Sequence, residues 1–168
     1  ANASLAASLA LSLGVAPEII VQGLKACPLV PGRLEPIATT RCMGVFVDFA
    51  HTPDGLRKVL TTLRQLKPAS LIVVFGCGGD RDQTKRPLMG SIAEQLADVV
   101  IITDDNPRHE VPEQIRKAII SGTTKGLAIE IPDRQEAIEF ALTHAKKNDI
   151  VIIAGKGHET YQIYGEYK

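Results

Sequence analysis

Five short runs rich in Val, Ile, Leu and Phe recur along the chain: GVFVDF (44–49), SLIVVF (70–75), VVIIT (99–103), LAIEI (127–131) and DIVIIAG (149–155). Between them lie longer segments in which apolar positions recur every three or four residues: PDGLRKVLTTLRQL (53–66), KRPLMGSIAEQLA (85–97), VPEQIRKAIISG (111–122) and DRQEAIEFALTHAKK (133–147). Near-continuous β-branched runs of this length are strands buried on both faces, and the longer spacing is that of amphipathic helices. Strict alternation of the two predicts an α/β fold: an open, mostly parallel sheet with helices on both faces.

The first thirty residues follow another pattern. Residues 3–13 have helical composition and stop at Gly14, and a second helix is expected from Pro17 to about Cys27. PLVPGRLEPI (28–37) then interrupts with three prolines and a glycine, which predicts a hinge between two parts. The chain begins inside a helical pattern and closes on YQIYGEYK (161–168), where a short strand is expected to meet a glycine turn without its return strand. A piece of a longer protein is therefore expected, with residues 1–31 ending one domain and 32–168 forming the next. ASLAASLALSLG lacks the basic start of a signal peptide. No apolar run reaches the roughly 18 residues of a membrane span.

Composition narrows the function classes. A chain of 168 residues, 45% hydrophobic and 23% charged, is ordinary for a globular protein. Nineteen basic residues cancel nineteen acidic ones, which argues against a nucleic-acid partner but leaves room for a local anion pocket. Cys27, Cys42 and Cys77 are odd in number and form no CxxC pair, so neither a zinc ribbon nor a disulfide framework is expected. Reduced thiols in the cytoplasm fit this usage.

The chemistry gathers where strands end. In an open α/β sheet, ligands bind at the carboxyl ends of the strands. VDFAHTP, FGCGGDRD, TDDNPRHE and AGKGHET all fall there and should converge on one edge. FGCGGDRD has glycines at 76 and 78 but Arg81 where a dinucleotide fingerprint needs a small residue, so the fingerprint fails and a nicotinamide cofactor is disfavoured. The flanking acids Asp80 and Asp82 suggest a pre-oriented Arg81 guanidinium. In TDDNPRHE, Asp105 and Asn106 suit a turn or a helix cap. Neither role accounts for Arg108, whose planar fork matches a carboxylate in two hydrogen bonds, with Asp104 and Asp105 to hold that fork or to take an ammonium. A ligand with both a carboxylate and an amine, an amino acid, would satisfy the set.

AGKGHET lacks the GxxxxGK[ST] spacing of a phosphate loop, as does the whole chain. Gly155 allows close approach and Glu159 offers a carboxylate. His158 has no second histidine at ligand spacing, so no metal is expected on it. Asp48 and His51 end the first long strand. Asp48 is suited to a ribose hydroxyl or, more simply, to capping its own turn, with Thr52 and Pro53 opening the next helix.

PGRLE, VDFAHTPDGL, FGCGGDRDQTKRPLMG, TDDNPRHE and AGKGHETYQ occur in this order in the Mur ligases, which the chain resembles over essentially its whole length. DNPR is the specific element, similar to members that add meso-diaminopimelate to UDP-N-acetylmuramoyl-L-alanyl-D-glutamate. Folylpolyglutamate synthase shares the architecture, but DNPR and GKGHE together disfavour it. The resemblance implies a Rossmann-like C-terminal domain in 32–168, preceded in 1–31 by the last helices of a central ATPase domain. It implies diaminopimelate contacts at Arg81, Asp105, Asn106, Pro107, Arg108, Gly155 and Glu159, and ATP contacts at Asn2, Arg33, Asp48 and His51. It further implies ATP and Mg2+ held mainly by the central domain, a cytoplasmic monomer, and no catalytic residue or metal ligand in this chain.

Overall fold

The computed structural model describes residues 2–167, apart from the side chain of Asn2. They fall into two compact units, one up to Val30 and one from Pro31 onward. The first unit holds two helices, α1 (Asn2–Ser12) and α2 (Pro17–Ala26). Gly14 takes a φ of 79° after α1, the left-handed conformation that closes a helix at little cost for glycine. Leu5, Leu9 and Ile19 are exposed on this unit.

The second unit is a six-stranded sheet with four helices. In chain order it runs β1 (Glu35–Pro36), β2 (Gly44–Asp48), α3 (Pro53–Arg64), β3 (Leu71–Phe75), α4 (Lys85–Leu96), β4 (Val99–Ile102), α5 (Pro112–Ile120), β5 (Ala128–Glu130), α6 (Arg134–His144) and β6 (Ile150–Ala154). The spatial order is β1-β2-β6-β3-β4-β5, with β1 antiparallel to β2 and the other neighbours parallel. Alternation along each strand divides the core. Leu71, Val73 and Phe75 join Leu56, Leu60, Met89 and Ile119 of α3, α4 and α5 on one face. Ile72, Val74, Ile101 and Val151 meet Ala137 and Ala141 of α6 on the other. Each fully buried large apolar side chain contributes about 1.5–3 kcal/mol, which makes this two-sided burial the main support of the sheet.

Thr52 accepts from Gly55 N at 3.1 Å and Asp133 accepts from Glu136 N at 2.8 Å, capping α3 and α6. The connections α3, α4 and α5 step outward along one face. α6 then returns across the other, and β6 fills the slot between β2 and β3. Crossover direction therefore reverses beside β6, and the carboxyl ends of β2, β6, β3 and β4 flank that point.

Two local expectations need correction. The tail forms no strand: Tyr164 makes single bridges to Arg108 and Tyr167. Its backbone is spent on the loop after β4, with Arg108 N donating to Ile163 O at 3.0 Å and Gly165 N to Arg108 O at 2.7 Å. α6 ends at His144 rather than at residue 147. The Pro-rich segment spans the boundary between the two units. From Gly32 it is fastened to the sheet, with Leu34 N donating to Asp48 Oδ2 at 2.7 Å and Gly32 N to Glu35 Oε2 at 2.6 Å. A Cβ on Gly32 would lie 2.3 Å from His158 N, so only glycine fits there.

Candidate functional site

The loops after β2, β3, β4 and β6 enclose a cleft of ≈ 540 Å³. Arg81, Asp105, Asn106, Arg108, Gly155 and Glu159 all line it, and so does His51. Six of the seven positions expected for the amino acid thus share one cavity. Pro107 lies outside the lining, its carbonyl packed where a Cβ on Gly79 would come within 1.9 Å.

Arg108 takes a φ of 52°, uncommon for a side-chain-bearing residue and often associated with functional sites. Its Nη1 donates to Gly79 O at 2.8 Å and Asn106 O at 3.4 Å. The expected acids do not hold this fork. Asp104 faces elsewhere, paired with Arg116, and accepts from the Tyr164 hydroxyl at 3.1 Å. Burial and the nearby Asp104 carboxylate push the Tyr164 phenol up to about 12. Asp105 Oδ1 accepts from Asn106 N at 2.7 Å. Neither Asp105 nor Asn106 caps α5, whose N-cap is Val111.

Arg81 is not pre-oriented by its flanking acids either. It is exposed and donates to Asp80 O at 2.9 Å. Asp80 is engaged by His109 at 2.8 Å and Asp82 by the Thr84 hydroxyl at 2.6 Å. The hydrogen bonds from His109 and Thr84 hold both carboxyls below the usual range. A guanidinium so lightly tied is free to turn toward a ligand.

Opposite Arg108 sits a network that sequence reasoning missed. Lys156, 6% exposed, donates to Asn106 Oδ1 at 2.9 Å and Glu159 Oε2 at 3.0 Å. Asn106 Nδ2 donates to the same Glu159 oxygen at 3.0 Å. Burial pushes the Glu159 carboxyl up, but the Lys156 and Asn106 hydrogen bonds outweigh it and hold the group below its ordinary value. Gly155 has a φ of 105°, and a Cβ there would lie 3.0 Å from Asp105 Oδ2. A side chain at that position would both strain the backbone and crowd the carboxylate. Beneath the loops, buried Arg134 donates to Ala154 O at 2.8 Å and Asp104 O at 3.3 Å, tying the ends of β6 and β4 together.

At the β2 end, Asp48 caps its own turn. Oδ1 accepts from Ala50 N and Oδ2 from Leu34 N, each at 2.7 Å. The neighbouring Arg33 guanidinium lies 4.8 Å above the Phe49 ring, and the His51 ring meets Phe49 edge-on at 4.7 Å. Asn2 lies in the first unit and its side chain is outside the described residues. No group of three potential metal ligands occurs among the described residues.

The family described as Mur ligase, glutamate ligase domain, matches residues 32–157. A UDP-N-acetylmuramoyl-L-alanyl-D-glutamate--2,6-diaminopimelate ligase of Rickettsia bellii is 52% identical over 151 residues, covering 89% of this chain and 31% of that protein. One of the same description from Geobacillus kaustophilus is 48% identical over 166 residues, covering 98% and 34%. The chain thus spans about a third of the length of these curated relatives. A solved structure of a ligase so described superposes with a TM-score of 0.76 at 44% identity, over 96% of this chain and 33% of that one. A bifunctional folylpolyglutamate synthase/dihydrofolate synthase from Yersinia pestis shares the fold, with a TM-score of 0.63 at 24% identity over 83% of this chain and 31% of that one. With three quarters of its length matched and its strand-end loops converging on one cleft, the chain belongs to the Mur ligase family, as its glutamate ligase domain.

Proposed function

We propose that this chain is the amino-acid-binding portion of an ATP-dependent ligase that adds meso-diaminopimelate to UDP-N-acetylmuramoyl-L-alanyl-D-glutamate, a step of peptidoglycan precursor synthesis. Residues 1–31 then end a central ATPase domain and 32–168 form the C-terminal domain of a cytoplasmic, monomeric enzyme. The observation that carries this reading is the pairing, in one cleft, of an arginine fork at Arg108 with carboxylates at Asp105 and Glu159. A diamino dicarboxylic acid presents both complements.

In this mechanism the dipeptide's γ-carboxylate is first converted to an acyl phosphate at the expense of ATP. The diaminopimelate amine attacks the acyl carbon, the new amide loses a proton, and phosphate leaves. The cleft's contribution is placement: Arg108 and Arg81 take the distal carboxylate, while Asp105 and Glu159 take an ammonium, leaving the reacting amine at near-attack distance. Arg33, Phe49 and His51 offer a cation and flat rings suited to a nucleotide. Asp48 fixes the Arg33 segment through Leu34 N, and each of its oxygens keeps a lone pair with which to accept from a ribose hydroxyl. ATP and Mg2+ are held mainly by the central domain in this reading. The test is phosphate release by the full-length protein. It should require ATP, the UDP-linked dipeptide and meso-diaminopimelate together. Equal turnover with lysine would refute the assignment.

A further inference from the structure

Lys156 has no part in the reaction as proposed, yet it is one of the most deeply buried charges of the domain. Burying an ammonium is costly unless it is paired and hydrogen-bonded. Its pairing here is specific: Asn106 Oδ1 at 2.9 Å and Glu159 Oε2 at 3.0 Å. The backbone aims it there, because the glycines on either side take left-handed φ values of 105° and 51°. We propose that Lys156 is a positioning residue for the amino-acid substrate, fixing the Asn106 amide and the Glu159 carboxylate in the orientation that receives the substrate ammonium. The inference rests on the reading of the cleft given above.

Two consequences follow from the hydrogen bonds. Asn106 Oδ1 accepts from Lys156 Nζ and from Ile163 N at 3.0 Å, so only Nδ2 can face Glu159, where it donates at 3.0 Å. Without Lys156 the amide loses one of the two donors that set its orientation. Glu159 Oε2 receives both Lys156 and Asn106, while Oε1 accepts from no group among the described residues. One oxygen is thus anchored and the other is left for a ligand on a carboxylate that lines the cleft. Freed from Lys156, Glu159 regains rotamers that a bound ammonium would have to order again.

The test uses the full-length protein and compares Lys156→Met, Glu159→Gln and the double variant. Lys156→Met keeps the apolar stem and removes the charge. Its KM for meso-diaminopimelate should rise about tenfold or more, the lower end for losing a hydrogen bond to a charged group. KM for ATP and for the UDP-linked dipeptide should stay within about twofold. Because Lys156 acts partly through Glu159, the loss in the double variant should fall short of the sum of the two single losses. An unchanged diaminopimelate KM in Lys156→Met, an equal rise in KM for ATP, or an additive double variant overturns the proposal. Should Lys156→Met fail to fold, Lys156→Gln is judged by the same criteria. The two readings separate cleanly. If Glu159→Gln itself leaves the diaminopimelate KM unchanged, the assignment of the cleft fails. If it raises that KM while Lys156→Met does not, only the role of Lys156 fails.

Discussion

Arg108 spends Nη1 on two carbonyl oxygens, and among the described residues no hydrogen bond engages its other nitrogens. The bonds that are made fix the plane of the fork, and the left-handed backbone under it is held by Ile163 O and Gly165 N. A site built to bond a polar group rejects an analogue lacking it by about four orders of magnitude, because its own charge is left unpaired. In the full-length protein, Arg108→Ala should therefore cost about 2–5 kcal/mol in selection of diaminopimelate over lysine, read as the ratio of kcat/KM values. Arg108→Lys should not restore it, since an ammonium cannot reproduce two parallel bonds. An unchanged ratio would mean that the carboxylate is read elsewhere. Gly155→Ala should raise the diaminopimelate KM through a different cause, pressing on Asp105 Oδ2 from a backbone position that alanine resists. At this scale the sequence was informative wherever a charged residue followed a strand without a local use for it, as with Arg108 and Glu159. It misled wherever a neighbour in sequence was taken for a neighbour in space. Asp104 answers to Arg116, twelve residues on, and Arg81 meets the backbone carbonyl of Asp80 rather than the carboxylates beside it. Lys156 went unnoticed although Glu159 stands only three residues on, because its burial depends on a second partner, Asn106, fifty residues away.

Two loops bear on Arg108, and Glu110 helps to tie them together. Arg86 of α4, with its side chain 3% exposed, meets Glu110 of the β4–α5 loop through two bonds of 2.9 Å. Glu110 also accepts from Asp80 N at 2.6 Å, so the loop after β3 is pinned to the loop after β4. Arg86 Nε is buried with no partner among the described residues, and beyond Glu110 the guanidinium reaches only Gly78 O, at 3.4 Å, among them. Glu110→Gln leaves that charge uncompensated and should destabilise the fold by about 3–5 kcal/mol in denaturant unfolding. The Arg86 hydrogen bonds hold the Glu110 carboxyl below its ordinary value of 4.5. A depressed carboxyl stabilises fully above that ordinary value and loses its contribution as pH falls below it, through the folded-state value. The acid limb of the stability profile should accordingly be shallower in Glu110→Gln than in the parent, and identical limbs would contradict the account. Elements were the most legible level in the sequence because burial on two faces imposes unbroken β-branched runs and burial on one imposes a helical period. β1 escaped for the converse reason: two residues, one a proline, carry no period, and their pairing with β2 depends on the Asp48 anchor.

Across the whole domain, the sheet order was not readable from local pattern, since nothing in β6 announces that it inserts between β2 and β3. The convergence of the loops was readable, because parallel strands joined by helices must bring their carboxyl ends to one edge whatever their order. In the function proposed, that edge supplies groups to orient an amino acid, while the sequence carries no phosphate loop with which to activate an acyl group. Phosphate chemistry of this class draws on a glycine-rich loop whose backbone N–H groups and lysine cradle the phosphates. The only similar stretch, AGKGHET, has neither the spacing nor a free lysine, because Lys156 is committed to Asn106 and Glu159. Placement without activation cannot form the amide, since the carboxylate is not an electrophile until its oxygen becomes a leaving group. The 168-residue chain alone, supplied with ATP, Mg2+, the UDP-linked dipeptide and meso-diaminopimelate, should therefore release no phosphate above background. The full-length protein under the same conditions should release it in step with amide formation. Turnover by the isolated chain would show that a phosphate-activating site lies within these residues and that the division of labour inferred from the cleft is wrong.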